Sequence, residues 1–146
     1  MSGQITIYTD GGARGNPGPA AIGVVMESPI NKGYSKYLGE KTNNEAEYEA
    51  LIFALAKLKA ILGTKKCKDL KVIFRMDSEL AVRQLSGQYR IEGKTIVPLF
   101  VKIHNLRMDF QDLEFHHVPR EQNKDADALV NQELDKHGHE GGLFNL

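Results

Sequence analysis

Residues Gln4–Asp10 read QITIYTD and run directly into GGARGNPGP at Gly11–Pro19. In the first stretch Ile5 and Ile7 alternate with Thr6, Tyr8 and Asp10, the period-two pattern of a half-buried strand, and the strand ends on an acid. The second stretch holds four glycines and two prolines and reads as a turn-rich loop. Ala20–Met26 and Gly33–Leu38 are two further strands joined through Ser28-Pro29-Ile30-Asn31. Together they predict a meander of three antiparallel strands.

Beyond the meander the hydrophobic period changes. Thr42-Asn43-Asn44-Glu45 has the form of a capping box. The helix it opens carries Leu51, Ala54, Leu55, Leu58, Ile61 and Leu62 on one stripe, which stops before Gly63. Glu47 falls on the inward side of that helix. Leu70–Asp77 (LKVIFRMD) is a β-branched and aromatic run that again ends on an aspartate. Ser78 can cap a short helix over Glu79–Leu85. Gly87–Thr95 reads as a loop, Ile96–Met108 as a helix, Leu113–Val118 as a strand and Asn123–Lys136 as a helix. The order βββ, α, β, α, α, β, α predicts an α/β domain, a mixed sheet with helices on its faces. One domain over 1–146 is expected, with its core at about 4–136 and a 137–146 tail that has no periodicity.

Composition narrows the class. The chain has 146 residues, 41% of them hydrophobic and 26% charged, enough for one core and too apolar for disorder. No apolar run approaches the roughly 20 residues of a membrane helix. Met1-Ser2-Gly3-Gln4 lacks the features of a secretion signal, so a cytoplasmic location is expected. Cys67 is the single cysteine and reads as a free thiol near a helix end. Nineteen basic side chains balance nineteen acidic ones, but not locally. Residues 57–75 hold Lys57, Lys59, Lys65, Lys66, Lys68, Lys71 and Arg75 against Asp69 alone, and from 108 onward nine acids face three bases. A polyanion needs a local positive surface, not a positive total.

The acids fall in a pattern. Asp10 and Asp77 end strands, Glu47 lies inward in the first turns of a helix, and Asp127 is in the first turn of the last helix. Sites in open α/β sheets form outside the strand ends. Carboxylates gathered there repel unless cations neutralise them, and oxygen-only ligands select hard divalent ions. Taken one at a time, each has a plainer reading: Asp10 as a turn residue, Asp77-Ser78 as a helix cap. Glu47 is hardest to dismiss, because an acid on a buried face needs a partner.

Four motifs carry a family resemblance. They are YTDGGARGNPGP at Tyr8–Pro19, TNNEAE at Thr42–Glu47, MDS at Met76–Ser78 and REQNKDADAL at Arg120–Leu129. With them the chain resembles type 1 ribonuclease H over about residues 4–136. The resemblance implies the ribonuclease H-like fold, a mixed five-stranded sheet of three antiparallel strands then two parallel, flanked by helices. It implies Asp10, Glu47, Asp77 and Asp127 as catalytic metal ligands for two Mg²⁺ ions, with Mn²⁺ as an alternative. Asp125 competes for the last place. Asp127 is preferred because the family's acid directly precedes a small-apolar pair, here Ala128-Leu129; Asn123 also lies one helical turn from Asp127, whereas Asp125 is rotated about 200° from it.

The implied activity is endonucleolytic hydrolysis of the RNA strand of RNA/DNA hybrids, leaving 5′-phosphate and 3′-hydroxyl ends. Gly11, Gly12, Asn16, Thr42, Asn43, Asn44, Glu79 and Asn123 match positions at the hybrid, with Thr42 and Asn16 matching a DNA-strand phosphate pocket. A monomer with no obligate protein partner is expected. Two departures stand out: Ser86–Thr95 is too short for the basic protrusion of some members, and Pro119–Gln122 lacks their loop histidine. Arg120 or Glu121 could replace that histidine, while His116 and His117 read as structural or surface residues. The alternatives are a non-catalytic hybrid-binding module and the same chemistry extended to double-stranded RNA.

Overall fold

The computed structural model describes residues 3–144, with side chains over 3–138. Five strands, β1 (Gly3–Ala13), β2 (Gly18–Met26), β3 (Lys32–Lys41), β4 (Leu70–Met76) and β5 (Asp112–His117), form one sheet in the order β3-β2-β1-β4-β5. The first three pair antiparallel, and β4 and β5 run parallel to β1. The sheet therefore has the mixed pattern expected from the sequence.

Helix α1 (Asn43–Leu62) covers one face of the sheet. Its start is fixed as the capping box requires: the Glu45 backbone N–H donates to Thr42 Oγ1 at 3.1 Å, and the Thr42 N–H donates to Glu45 Oε1 at 2.9 Å. Leu51, Leu55 and Leu58 are fully buried against Ile5, Ile7 and Phe74. Each such leucine contributes about 1.5–3 kcal/mol relative to exposure. Helix α2 (Thr64–Lys68), α3 (Glu79–Leu85) and α4 (Ile96–Arg107) follow on the same side, α4 packing on α1. Ser78 caps α3 by accepting from the Ala81 N–H at 3.2 Å. Helix α5 (Lys124–Phe144) covers the other face, where Val130 and Leu134 pack on Ala21.

Three expectations need correction. Asp10 does not end its strand: β1 continues through Gly11–Ala13, paired with Ala20–Ile22 of β2. Pairing with β4 stops at Tyr8↔Arg75, so Asp10 lies on a part of β1 that has no neighbour on that side. The loop is thereby reduced to residues 14–17, closed by the Arg14 N–H donating to Pro19 O at 2.9 Å. A short helix, α2, occupies a stretch read as a connection. Five residues with one apolar side chain, Cys67, are too few to show a period, yet that thiol is buried and anchors the turn. The 137–146 tail is not patternless in structure, because α5 continues to Phe144. Residues 145 and 146 lie outside the described chain.

Two glycines set how closely the helices approach. A Cβ at Gly11 would lie 2.2 Å from the Ala46 carbonyl of α1, and one at Gly23 would lie 2.2 Å from Ala126 O of α5. Backbone meets backbone at both places, so neither contact can relax by a rotamer change. Gly23→Ala is expected to destabilise the fold by about 1–3 kcal/mol, the usual cost of overpacking. Gly3→Ala, whose Cβ would meet Leu70 at 3.6 Å, serves as the comparison and stays within about 0.5 kcal/mol of wild type. Urea unfolding checks both.

Candidate active site

The acids converge because of those approaches. Gly11 admits the first turn of α1 against β1, and its own N–H donates to Glu47 Oε1 at 3.2 Å. Gly23 is the cross-strand partner of Asp10, and its missing side chain lets α5 settle over the same point. Residues opposite one another in an antiparallel pair share a face, so α5 arrives on the Asp10 side. Asp77 follows the last residue of β4. Carboxylate oxygens of Asp10, Glu47 and Asp77 all lie within 4.8 Å of one another.

Asp127 faces the same groove, a hollow of about 540 Å³ lined by Asp10, Glu47, Asp77 and Asp127 together with Gly11, Gly12, Asn16, Asn43 and Asn44. It stands beyond the tight triad, held by the Asn131 amide at 3.3 Å from its Oδ2. Asp125 is exposed and lines a separate hollow with Tyr8 and Glu27. The structure therefore brings Asp127, not Asp125, to the acids.

Burial and mutual repulsion dominate the electrostatics. Asp10 is 6% exposed and its carboxyl is pushed up to about 7, first by burial and next by the charge of Asp77. Glu47, also 6% exposed, is raised well above the usual carboxylate range by burial and then by Asp10. Asp77 is raised by burial against the opposing pull of Arg120, whose Nε lies 3.9 Å from Asp77 Oδ2. Glu47 Oε2 is buried with no hydrogen-bond partner among the described residues. A buried carboxylate oxygen left unpaired among like charges is costly, and a cation is what relieves it. The residues present fit a hard divalent ion.

Around the acids lie the polar groups singled out from the sequence. Asn16 Oδ1 accepts from the Asn43 N–H at 2.9 Å, and Asn43 Oδ1 accepts from the Ala13 N–H at 2.9 Å. Both oxygens are spent tying the loop to α1, and both residues are exposed, so their NH₂ groups can donate to a ligand. Asn44 Oδ1 is buried without a partner among the described residues. The Thr42 hydroxyl is engaged as the α1 cap, and exposed Glu79 pairs with Arg83 at 2.8 Å. Gly12 sits toward α5, a Cβ there meeting Val130 at 3.6 Å.

Asn123 differs from the rest. It is 1% exposed and its amide donates to Thr9 O at 3.0 Å, so it anchors the start of α5 to β1 from inside the protein. A surface contact with a ligand does not fit that placement. Gly23 was not singled out by motif, although a glycine within an otherwise regular strand signals close backbone approach. His116 pairs with Glu114 at 2.9 Å on the surface, in keeping with its expected role.

The elevated Asp10 carboxyl has a stability consequence. The folded state holds a proton that the unfolded chain releases near 3.8, so metal-free stability falls as pH rises from there through about 7. Asp10→Asn is expected to make the metal-free protein more stable than wild type at pH 8 by on the order of 2 kcal/mol. At pH 3.5 the difference vanishes. Chemical unfolding at the two pH values checks both signs.

Comparison with known proteins identifies the lineage. A reverse transcriptase-like family model matches residues 8–133. Ribonuclease H of Pseudomonas entomophila is 31% identical over 154 residues, covering 93% of this chain and 97% of that protein. Ribonuclease HI of Halobacterium salinarum is 39% identical over 137 residues, covering 91% and 65%. The chain spans only 36% of the length of its mycobacterial relatives, at 35% identity. The crystal structure of LC11-RNase H1, from compost, in complex with an RNA/DNA hybrid superposes with a TM-score of 0.84 at 50% identity, covering 91% of this chain and 98% of that one. With the fold, the acid cluster and these relatives in agreement, the chain belongs to the ribonuclease H family.

Proposed function

We propose that this protein is a divalent-metal-dependent endonuclease that hydrolyses the RNA strand of RNA/DNA hybrids, leaving 5′-phosphate and 3′-hydroxyl ends. One observation carries the reading: Asp10, Glu47 and Asp77 place carboxylate oxygens within 4.8 Å of one another, and Glu47 Oε2 has no hydrogen-bond partner among the described residues. Asp10, Glu47, Asp77 and Asp127 would hold two Mg²⁺ ions, with Mn²⁺ as a substitute. Bound there, the pair supplies charge neutralisation, a water ionised for in-line attack on phosphorus, and stabilisation of the leaving 3′ oxygen.

The chain's own groups do the rest. The Gly11 N–H holds one Glu47 oxygen, which leaves the other to a cation shared with Asp10 and Asp77. Asp127 faces the triad from α5, so the scissile phosphate is flanked from both helix faces of the sheet. The free NH₂ groups of Asn16 and Asn43 suit a phosphate of the DNA strand, beside Thr42. Asn44, Glu79 and the backbone of Gly11 and Gly12 suit the sugars of the RNA strand, where the 2′-hydroxyl distinguishes RNA from DNA. Such recognition reads shape and backbone, so little base preference is expected. Asn123 supports catalysis by fixing α5, not by touching substrate. Arg120, with 84% of its side chain exposed, balances the charge of Asp77. The protein acts as a monomer in the cytoplasm, a setting that suits the buried free thiol of Cys67. Among the described residues no helix is long and apolar enough to cross a membrane.

Labelled RNA/DNA hybrid, double-stranded RNA and double-stranded DNA, each with Mg²⁺ or EDTA, test the proposal. Cutting of RNA only in the hybrid, abolished by EDTA, is expected. Asp77→Asn and Asp127→Asn should each lower the rate at least about 100-fold, the upper end of the cost of losing even an outer-shell partner. Asp125→Asn should cut like wild type. Hybrid binding without cutting in either Mg²⁺ or Mn²⁺ would favour the binding-module reading, and cutting of double-stranded RNA would extend the substrate class.

A further inference from the structure

Building on the reading of the four acids as a cation site, we propose that Asn131 is a positioning residue for it. Its side-chain amide fixes the direction of the Asp127 carboxylate and so sets how tightly the acids hold a divalent ion. Asn131 stands one helical turn after Asp127 on α5 and lines the same groove. Its Nδ2 donates to Asp127 Oδ2 at 3.3 Å and to the Asp127 backbone O at 3.1 Å.

Asp127 needs such a tether more than the other three acids do. Asp10 and Glu47 are both buried, the first on a paired length of β1, the second with one oxygen on the Gly11 N–H. The Asp77 side chain is 12% exposed and follows directly from β4. Asp127 is only half-buried, on a helix that reaches the sheet through the Gly23 contact. The terminal torsion of an aspartate is broad and roughly two-fold, so rotamer preference alone leaves its carboxylate free to swing. From the preceding turn Asn123 fixes only the main chain: its O accepts from the Asp127 N–H at 3.1 Å, while its own amide goes to Thr9 O. The carboxylate is held from the following turn, by Asn131.

Helix packing does not call for asparagine at this position. The side chain is exposed, and asparagine is among the weaker helix formers because its amide competes for backbone groups. Here that tendency is directed at the acid: the amide reaches back to the carbonyl four residues earlier and engages the carboxylate as well. A neutral amide also suits the task chemically. An ammonium or guanidinium would orient the carboxylate but add a positive charge beside the ion, whereas an amide donates and leaves the negative charge to the ion. Carboxylates that ligate metals are commonly oriented by such hydrogen bonds from behind.

The test is Mn²⁺ binding to the full chain by isothermal calorimetry without nucleic acid, followed by the Mg²⁺ dependence of hybrid cleavage. Asn131→Ala should weaken Mn²⁺ binding about tenfold, the lower end of what losing a partner behind a metal ligand costs. The Mg²⁺ concentration for half-maximal cleavage should rise to match, with KM for the hybrid unchanged once Mg²⁺ saturates. Asn131→Gln, which keeps the amide on a longer stem, should restore most of the affinity. Gln132→Ala, at an exposed neighbour outside the groove, should bind Mn²⁺ as wild type does. Unchanged melting temperatures of the metal-free variants separate the effect from folding. Equal Mn²⁺ affinity in Asn131→Ala and wild type overturns the proposal. A raised KM for the hybrid with Mn²⁺ affinity intact also overturns it and assigns Asn131 to the substrate. Wild-type Mn²⁺ binding that Asp10→Asn leaves unchanged refutes the cation site itself, a failure distinguishable from the other two.

Discussion

The close approach of two helix backbones to one short length of strand is the constraint on which the site depends. Asp10 lies where β1 has run past the end of β4, flanked by Gly11 in sequence and Gly23 across the ladder. Because neither glycine has a side chain, α1 and α5 come down on opposite faces of the sheet at this point. Each delivers an acid: Glu47 one residue after the Ala46 contact, Asp127 one residue after the Ala126 contact. The two contacts are alike in geometry and opposite in face. Packing that looks structural is thus what makes the chemistry possible.

Electrostatics run the other way. Burial and mutual charge raise Asp10 and Glu47 and leave a carboxylate oxygen unpartnered. A fold selected for stability alone would have no reason to keep that arrangement, since isosteric neutral groups would relieve it. The strain is placed where a divalent cation would discharge it, and perturbed carboxylates in a groove are a usual mark of function. Arg120 moderates the same field from the rim, from the 3-10 turn Arg120–Gln122 that precedes α5.

Much of this was legible in the sequence, for identifiable reasons. The period-two run of Gln4–Asp10, the capping box at Thr42–Glu45 and the apolar stripe of α1 are local signals with local causes, and all are present in the structure. Glu47 could be placed inward because helix geometry fixes its face. The continuation of β1 past Asp10 could not be read, because Gly11-Gly12 looks like a turn and becomes strand only through pairing with β2. The role of Asn123 was hidden for a similar reason: its partner, Thr9 O, is 114 residues away. The short helix α2 and the far end of α5 lack enough apolar residues for any period to show. Tertiary contact decided each of these, and tertiary contact is what one sequence does not display.

The central claim is that the four acids form one divalent-cation site at the junction of β1, α1, β4 and α5. The most direct measurement is anomalous diffraction from a crystal of the wild-type protein soaked in Mn²⁺. The result expected is anomalous density in the space bounded by Asp10, Glu47, Asp77 and Asp127, in contact with Glu47 Oε2. Mn²⁺ bound only elsewhere, with Glu47 Oε2 still facing no partner, would contradict the account.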